Sequence, residues 1–493
     1  MAKKDKLLFK SGDDWTPELL EKIWEEIESI AKELRISYYP PQFEIVSAAQ
    51  MLEAYTSHGM PTFYKHWSFG MQSIEEEKAY EEGHMNLAYE LVINCAPCIA
   101  YLMEQNSALM QTLVMSHANV GHSAVFKNNY LFKQYTDAEG IIDYLDFAKN
   151  YIKKCEEKYG EEEVEFILDA CHTLGVYSVD KYRRSSKKLE VKTESEKAWE
   201  NFDPISYRLL PLESGVPDSD EPFEPQENIL YFLEKKAPFL APWKKEVIRI
   251  IRKINQYFHP QRLTQVVNEG YATFVHYYIT NRLYDKGLID GGSMLEFFAS
   301  HSGVVAQYPY NRLNPYKLGL SIYQDIKRIC EDPTEEDKTY FPDLAGRDWV
   351  EEVNYAMMNF SNETFILQYL SPKVARDLQL FAFDCNYSEG LNTIEDISDE
   401  TGFRKLREKL ASSYCLNSIY PDIRITDANF KTNRVLTLEH FSERGHRIHS
   451  GEAQQVINYI AYLWGYPVKL LMESPSGDRI SMTSNVYLPN PTS

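Results

Sequence analysis

Apolar residues recur at helical spacing from near the start of the chain. Between residues 16 and 35 they fall at Leu19, Leu20, Ile23, Trp24, Ile27, Ile30, Ala31 and Leu34, and Thr16-Pro17-Glu18 supplies a helix start, so an amphipathic helix is predicted there. The same periodicity predicts helices over about 43–55, 73–94, 96–116 and 144–159, separated by Pro, Gly or short polar runs. From 183 to 226 the composition turns to Ser, Lys, Glu, Asp and Pro, as in Ser185-Ser186-Lys187-Lys188, which predicts a linker or a surface excursion. Helical patterning resumes at Asn228 and runs, with breaks, through 242–257, 263–286, 294–300, 316–330 and 349–358. Beyond about Tyr387 the texture changes: 417–426, 434–441 and 468–472 alternate like short strands, and 450–464 reads as a helix among them.

The expected organisation is therefore mainly α. It comprises an N-terminal helical domain (1–182), the polar segment (183–226), a second helical block (227–390) packing with the first into one core, and a small α/β domain (391–493).

Charge narrows the possible partners. The chain holds 52 Lys and Arg against 73 Asp and Glu, a formal net charge of -21, so its surface repels polyanions and argues against nucleic acid as a general partner. The basic N-terminus runs into Asp13 and Asp14 without an apolar segment, and the least charged stretch, 91–103, is shorter than the roughly 20 residues that span a bilayer. No membrane span and a cytoplasmic location are expected. An odd count of 7 Cys fits a reducing compartment, and Cys95-Ala-Pro-Cys98, in what reads as an apolar helix, is expected to hold structural thiols rather than a redox pair.

Two segments carry candidate chemistry. His117 and His122 lie five residues apart with Gly121 beside the second, which in a regular helix separates the rings by roughly 140°. Chelation by both needs a π-bulge or a break near Gly121; otherwise they are packing residues. Glu269 and His276 lie seven apart, about 20° from eclipsed, with Ala272 between them leaving room for an approaching group. This pair reads either as a metal or ion-pair constellation or as a surface acid preceding a core His. Glu90 and Asn94, one helical turn apart if helical, are a further candidate polar pair, and His58-Gly-Met-Pro-Thr-Phe-Tyr64-Lys-His66-Trp67 suits a pocket lip or a packed loop.

Asn268-Glu269-Gly270-Tyr-Ala272 resembles the Asn-Glu-Gly-Phe-Ala segment of gluzincin aminopeptidases, whose Glu is the third zinc ligand. Across nearly the whole chain, the sequence resembles the SpoVR family, named for stage V sporulation protein R. The residues carrying the likeness are Tyr39-Pro-Pro-Gln-Phe-Glu44, Tyr89-Glu90-Leu-Val-Ile-Asn94, Ala100-Tyr-Leu-Met-Glu-Gln-Asn106, His117-Ala-x-x-Gly-His122, Phe126-Lys-Asn-Asn-Tyr-Leu-Phe132, Asn268-Glu-Gly-x-Ala-Thr-Phe-x-His276, Asn314-Pro-Tyr-Lys-Leu-Gly319 and Leu463-Trp-Gly465. The gluzincin likeness implies that Glu269 is a ligand, and pairing it with His117 and His122 gives a two-His, one-Glu set that would hold Zn2+ in a helical, zincin-like core with an open position for water. Ala118 stands where the zincin motif has its Glu base, so His276 or Glu90 is the expected acid or base. The SpoVR resemblance implies a role in the spore cortex and a PrkA-type serine kinase and a YhbH-type protein as partners, and the link to cortex suggests an amide of a peptidoglycan precursor or muropeptide as substrate. The alternative is a regulatory or scaffold protein whose centre is structural, degenerate or empty.

Overall fold

The computed structural model describes residues 7–56, 60–67, 90–181, 225–307, 313–380, 382–386, 391–396, 400–415, 420–430, 432–441, 448, 450–473 and 479–485. Residues 182–224 of the polar stretch, His58 and residues 73–89 lie outside them. The chain is mainly helical and forms two compact units: residues 1–164 with 256–419, and residues 165–255 with 420–493.

In the first unit, Thr16 caps the Pro17–Ala31 helix by accepting from the Leu19 amide at 3.2 Å, and proline occupies the first helical position, where its missing N–H costs nothing. Ile23, Ile27, Ile30 and Ala31 form its buried stripe. The expectation of helix over 43–55 and 96–116 fails in part. Pro41–Val46 is strand β1, Glu90–Ile93 is β2 and Cys98–Met103 is β3, giving a sheet of order β1-β3-β2 with β1 parallel and β2 antiparallel to β3. Short apolar runs such as Cys-Ile-Ala-Tyr-Leu-Met suit either period, and here the alternation of β3, with Cys98, Ala100 and Leu102 buried and Ile99 and Tyr101 half-buried, decides for strand. Helix begins only at Ala108, where the Ser107 hydroxyl accepts from the Met110 amide.

The centre of this unit is the Gln265–Asp285 helix. Val266, Val267, Tyr271, Phe274, Val275, Ile279 and Leu283 are all buried, so it is apolar on every side and runs through the core rather than over it. It packs against the Pro315–Glu331 helix and against residues 115–122. The first of these contacts is made by backbone: a Cβ on Gly270 would lie 2.4 Å from the Gly319 Cα.

Ala382–Asn386 (β4) and Leu391–Asp396 (β5) pair antiparallel in the first unit, and the second unit holds a four-stranded sheet of order β6-β7-β8-β9 (Asp422–Asp427, Leu436–Phe441, Val468–Glu473, Arg479–Thr483). Strands β7 and β8 are parallel, which requires a crossover, and the Ser450–Trp464 helix supplies it. Trp464 is fully buried and its indole N–H donates to the Arg434 carbonyl at 2.7 Å. Three of these strands and the helix among them were legible in the sequence, because alternation and punctuating turns are local signals; the edge strand Arg479–Thr483 was not expected. No helix among the described residues is long and apolar enough to cross a membrane.

Candidate metal centre

Residues 115–122 form a π-helix set between the Ala108–Val114 and Ser123–Asn128 helices. Widening the hydrogen-bond step from i+4 to i+5 turns positions five apart toward a common face. His117 and His122 accordingly stand edge to face, with ring centroids 4.6 Å apart. Gly121 is required at this place because a Cβ there would lie 2.5 Å from the Ala272 Cα. The group that approaches Ala272 is thus the π-helix backbone, hooked on its other side to β3 by Asn119, whose side-chain amide donates to the Cys98 carbonyl at 3.1 Å.

Glu269 completes the cluster. Its Oε2 lies 3.4 Å from His122 Nε2 and 3.7 Å from His117 Nε2, and one ligand atom from each of the three residues falls within 4.8 Å of the others. Bonds of about 2.0–2.1 Å at tetrahedral angles would set neighbouring ligand atoms roughly 3.3–3.4 Å apart, so the spacing suits a small divalent cation. The chemistry of the donors agrees. Glu269 Oε2 is buried and makes no hydrogen bond among the described residues, a costly state for a carboxylate unless a cation meets it. With no cation bound, burial pushes the Glu269 pKa up, but attraction to protonated His122 and then His117, with help from the Tyr316 hydroxyl, outweighs burial and holds the carboxyl below its usual value; a cation would take the place of those protons.

The tautomers also fit. Asn268 Oδ1 can only accept, so His122 Nδ1, 2.9 Å away, carries the proton and Nε2 is left with a free lone pair toward Glu269. His117 Nδ1 lies 2.8 Å from His276 Nδ1, and His276 Nε2 lies 3.0 Å from His301 Nδ1. The seven-residue spacing of Glu269 and His276 is therefore filled by one imidazole, that of His117, which presents Nε2 to the first and Nδ1 to the second. Both nitrogens of His276 are engaged by other imidazoles, so it stands behind His117 rather than on the side that Glu269 faces.

Glu90 opens β2 opposite Leu102, so Glu90 and Asn94 are not one helical turn apart; the Glu90 side chain lies outside the described residues. Cys95 and Cys98 are buried, and burial pushes the Cys98 thiol up to about 12. Both S–H groups point at backbone carbonyls, Cys95 at Pro97 and Cys98 at Ile93. Sequence reasoning missed Asn268, His301 and Tyr316 as partners of the cluster. The first and last lie inside motifs already quoted, whereas nothing near His301 in the sequence marks it.

Two expectations arise here. Asn362 Oδ1 accepts from the amides of Val266 and Val267, the orphan donors at the start of the Glu269 helix, at 2.8 and 3.3 Å. Asn362→Ala leaves two buried N–H groups unsatisfied and should cost about 1–3 kcal/mol in urea melts. The second concerns acid. Burial, then repulsion from His122, lowers the His117 pKa to about 4 from the usual 6.5. Because the folded value lies below the unfolded one, the unfolded chain binds more protons in that interval. His117 therefore contributes fully above about pH 6.5 and its contribution is lost as pH falls toward 4, amounting to ~3 kcal/mol. Chelator-treated protein should show this loss in chemical denaturation at stepped pH; a flat profile from pH 7 to 4 would refute it.

Comparison with known proteins identifies a family. The family described as SpoVR like protein matches residues 14–419, and the SpoVR-like C-terminal domain matches residues 421–474. A relative from Escherichia coli (strain K12), Uncharacterized protein YcgB, is 46% identical over 490 residues, covering 96% of each chain. No solved structure matches.

Proposed function

We propose that this chain, which belongs to the SpoVR family, is a zinc-dependent hydrolase that cleaves an amide or peptide bond in a cell-wall-related substrate. Membership associates it with sporulation, and a cortex peptidoglycan precursor or muropeptide is the substrate class that follows from that association. The observation that carries the reading is the convergence of His117 Nε2, His122 Nε2 and Glu269 Oε2 from two remote segments, with that carboxylate oxygen buried and without a hydrogen bond among the described residues. Two imidazoles and a carboxylate are the ligand composition of zincin-like catalytic sites, which keep one position open. A bound zinc would supply Lewis acidity, lowering the pKa of a water molecule there toward neutrality and polarising a carbonyl.

The chain's own residues then have distinct tasks. Asn268 and His276 orient the two imidazoles. Tyr316, whose ring stacks on His117 with centroids 6.4 Å apart and whose hydroxyl supports the Glu269 carboxylate, stands half-buried at the edge of the cluster. Ala118 is fully buried on the π-helix and brings no base. Proton transfer by His276 is disfavoured by its engagement on both nitrogens, which leaves Glu90 or the substrate itself for that task.

The same observation supports a second reading: a regulatory or scaffold protein with a structural metal, acting with a PrkA-type kinase and a YhbH-type partner. One assay separates the two. Zinc-loaded protein is incubated with muropeptides and with peptidoglycan precursors, and newly freed amines are counted with and without a chelator. Chelator-sensitive release supports the hydrolase. Full zinc occupancy with no release from any of these substrates would favour the scaffold.

A further inference from the structure

We propose that His276 and His301 are positioning residues which, with His117, form a one-way chain of imidazole hydrogen bonds that fixes the proton of His117 on Nδ1. The inference rests on the reading of His117, His122 and Glu269 as metal ligands and extends it outward by two side chains. A neutral imidazole has one donor and one acceptor nitrogen, so a ligand that offers Nε2 to a cation must carry its proton on Nδ1. His117 Nδ1 faces another ring nitrogen, His276 Nδ1, at 2.8 Å. His276 must therefore accept on Nδ1 and hold its own proton on Nε2. That proton points at His301 Nδ1, 3.0 Å away, so His301 accepts there and carries its proton on Nε2.

The usual partner of a ligating imidazole is a carboxylate or a carbonyl oxygen, which can only accept and so defines the tautomer alone. An imidazole can accept or donate. His276 by itself does not fix the direction; a cation on His117 Nε2 sets it at one end, and at the other His301 Nδ1 can accept the His276 proton. All three rings are buried, and Phe297 packs on the outer two, with centroids 6.1 Å from His276 and 5.3 Å from His301. Tyr277 covers His301 at 5.2 Å. Ring planes are thereby held, and the freedom left to the chain is the placement of its protons. With His301 unable to accept, the reverse order becomes competitive, and it places a proton on the nitrogen that His117 needs for the metal.

The test uses the full chain with 15N-labelled histidine and zinc. In zinc-loaded wild-type protein, nitrogen spectra should show N–H at Nδ1 of His117 and at Nε2 of His276 and His301. Competition with a chromophoric chelator should show His301→Leu binding zinc about 10-fold more weakly, the lower end for loss of an outer partner. His301→Asn, whose Oδ1 is an acceptor close to the position of Nδ1, should recover most of that loss. His301→Leu binding zinc as tightly as wild type overturns the chain and leaves the metal reading intact, whereas zinc-loaded protein with the His117 proton on Nε2 overturns the chain and the reading of His117 as a ligand together. Wild-type protein that binds no zinc overturns both. The wild-type spectra require no variant to fold.

Discussion

Glu269→Ala is expected to empty the centre. Loss of an outer partner of a ligating histidine weakens metal binding by about 10–100-fold, and a directly ligating carboxylate should exceed that range. Two imidazoles left alone provide neither the third bond nor the negative charge that offsets the dication. The fold should tolerate the change, because the removed group is a half-buried side chain whose buried Oε2 has no hydrogen bond among the described residues, so the desolvation penalty of that oxygen disappears with it. Metal analysis of dialysed protein should therefore fall from about one zinc per chain to near none while circular dichroism stays unchanged. Glu269→Gln, which keeps the shape and loses the charge, should fall between. A Glu269→Ala protein that retains equimolar zinc would show that the cluster is not the site.

Gly319→Ala should be the most damaging small substitution at the centre. In a helix interior the exchange ordinarily stabilises by about 1 kcal/mol. Here the added Cβ would lie 2.2 Å from the Val266 carbonyl oxygen and 2.6 Å from the Gly270 Cα. Backbone atoms cannot step aside as a flexible side chain can, so the Pro315–Glu331 and Gln265–Asp285 helices must separate. Overpacking of this kind costs 1–3 kcal/mol and sometimes more; two contacts with backbone place the expected loss at the upper end, about 3 kcal/mol, well above the propensity gain. Glu269 neighbours Gly270, so separation also moves a ligand, and zinc affinity should drop with stability. Gly303→Ala is the control, since a Cβ there meets nothing within 4 Å. Equal urea midpoints for Gly319→Ala and Gly303→Ala would refute the close-approach argument.

The amino-acid sequence went far toward both the fold and the centre where the signals are short-range. The Thr16 cap, the helix it starts, and three of the four strands and the crossover helix of the C-terminal sheet follow from periodicity and turn residues a few positions apart. The need for a π-helix at residues 115–122 was also legible, because two histidines five apart next to a glycine can share an ion only if the regular helix is broken. It failed at 90–103, where Leu, Ile, Ala and Met fit a buried strand as well as a buried helix and only pairing with β1 chooses between them.

Residue type and spacing thus determined which side chains can take part: two imidazoles on a distorted turn, and a carboxylate and an imidazole on one face of another helix. The tertiary structure decided how they are used. Contacts at Gly121 and Gly270 let three helix backbones come close enough for His117 to fit between Glu269 and His276. His301, 25 residues further along, reaches His276 only through the packing of a separate helix. Hydrogen-bond partners of ring nitrogens depend on distances of about 3 Å between segments far apart in the chain, and local spacing carries no record of those distances.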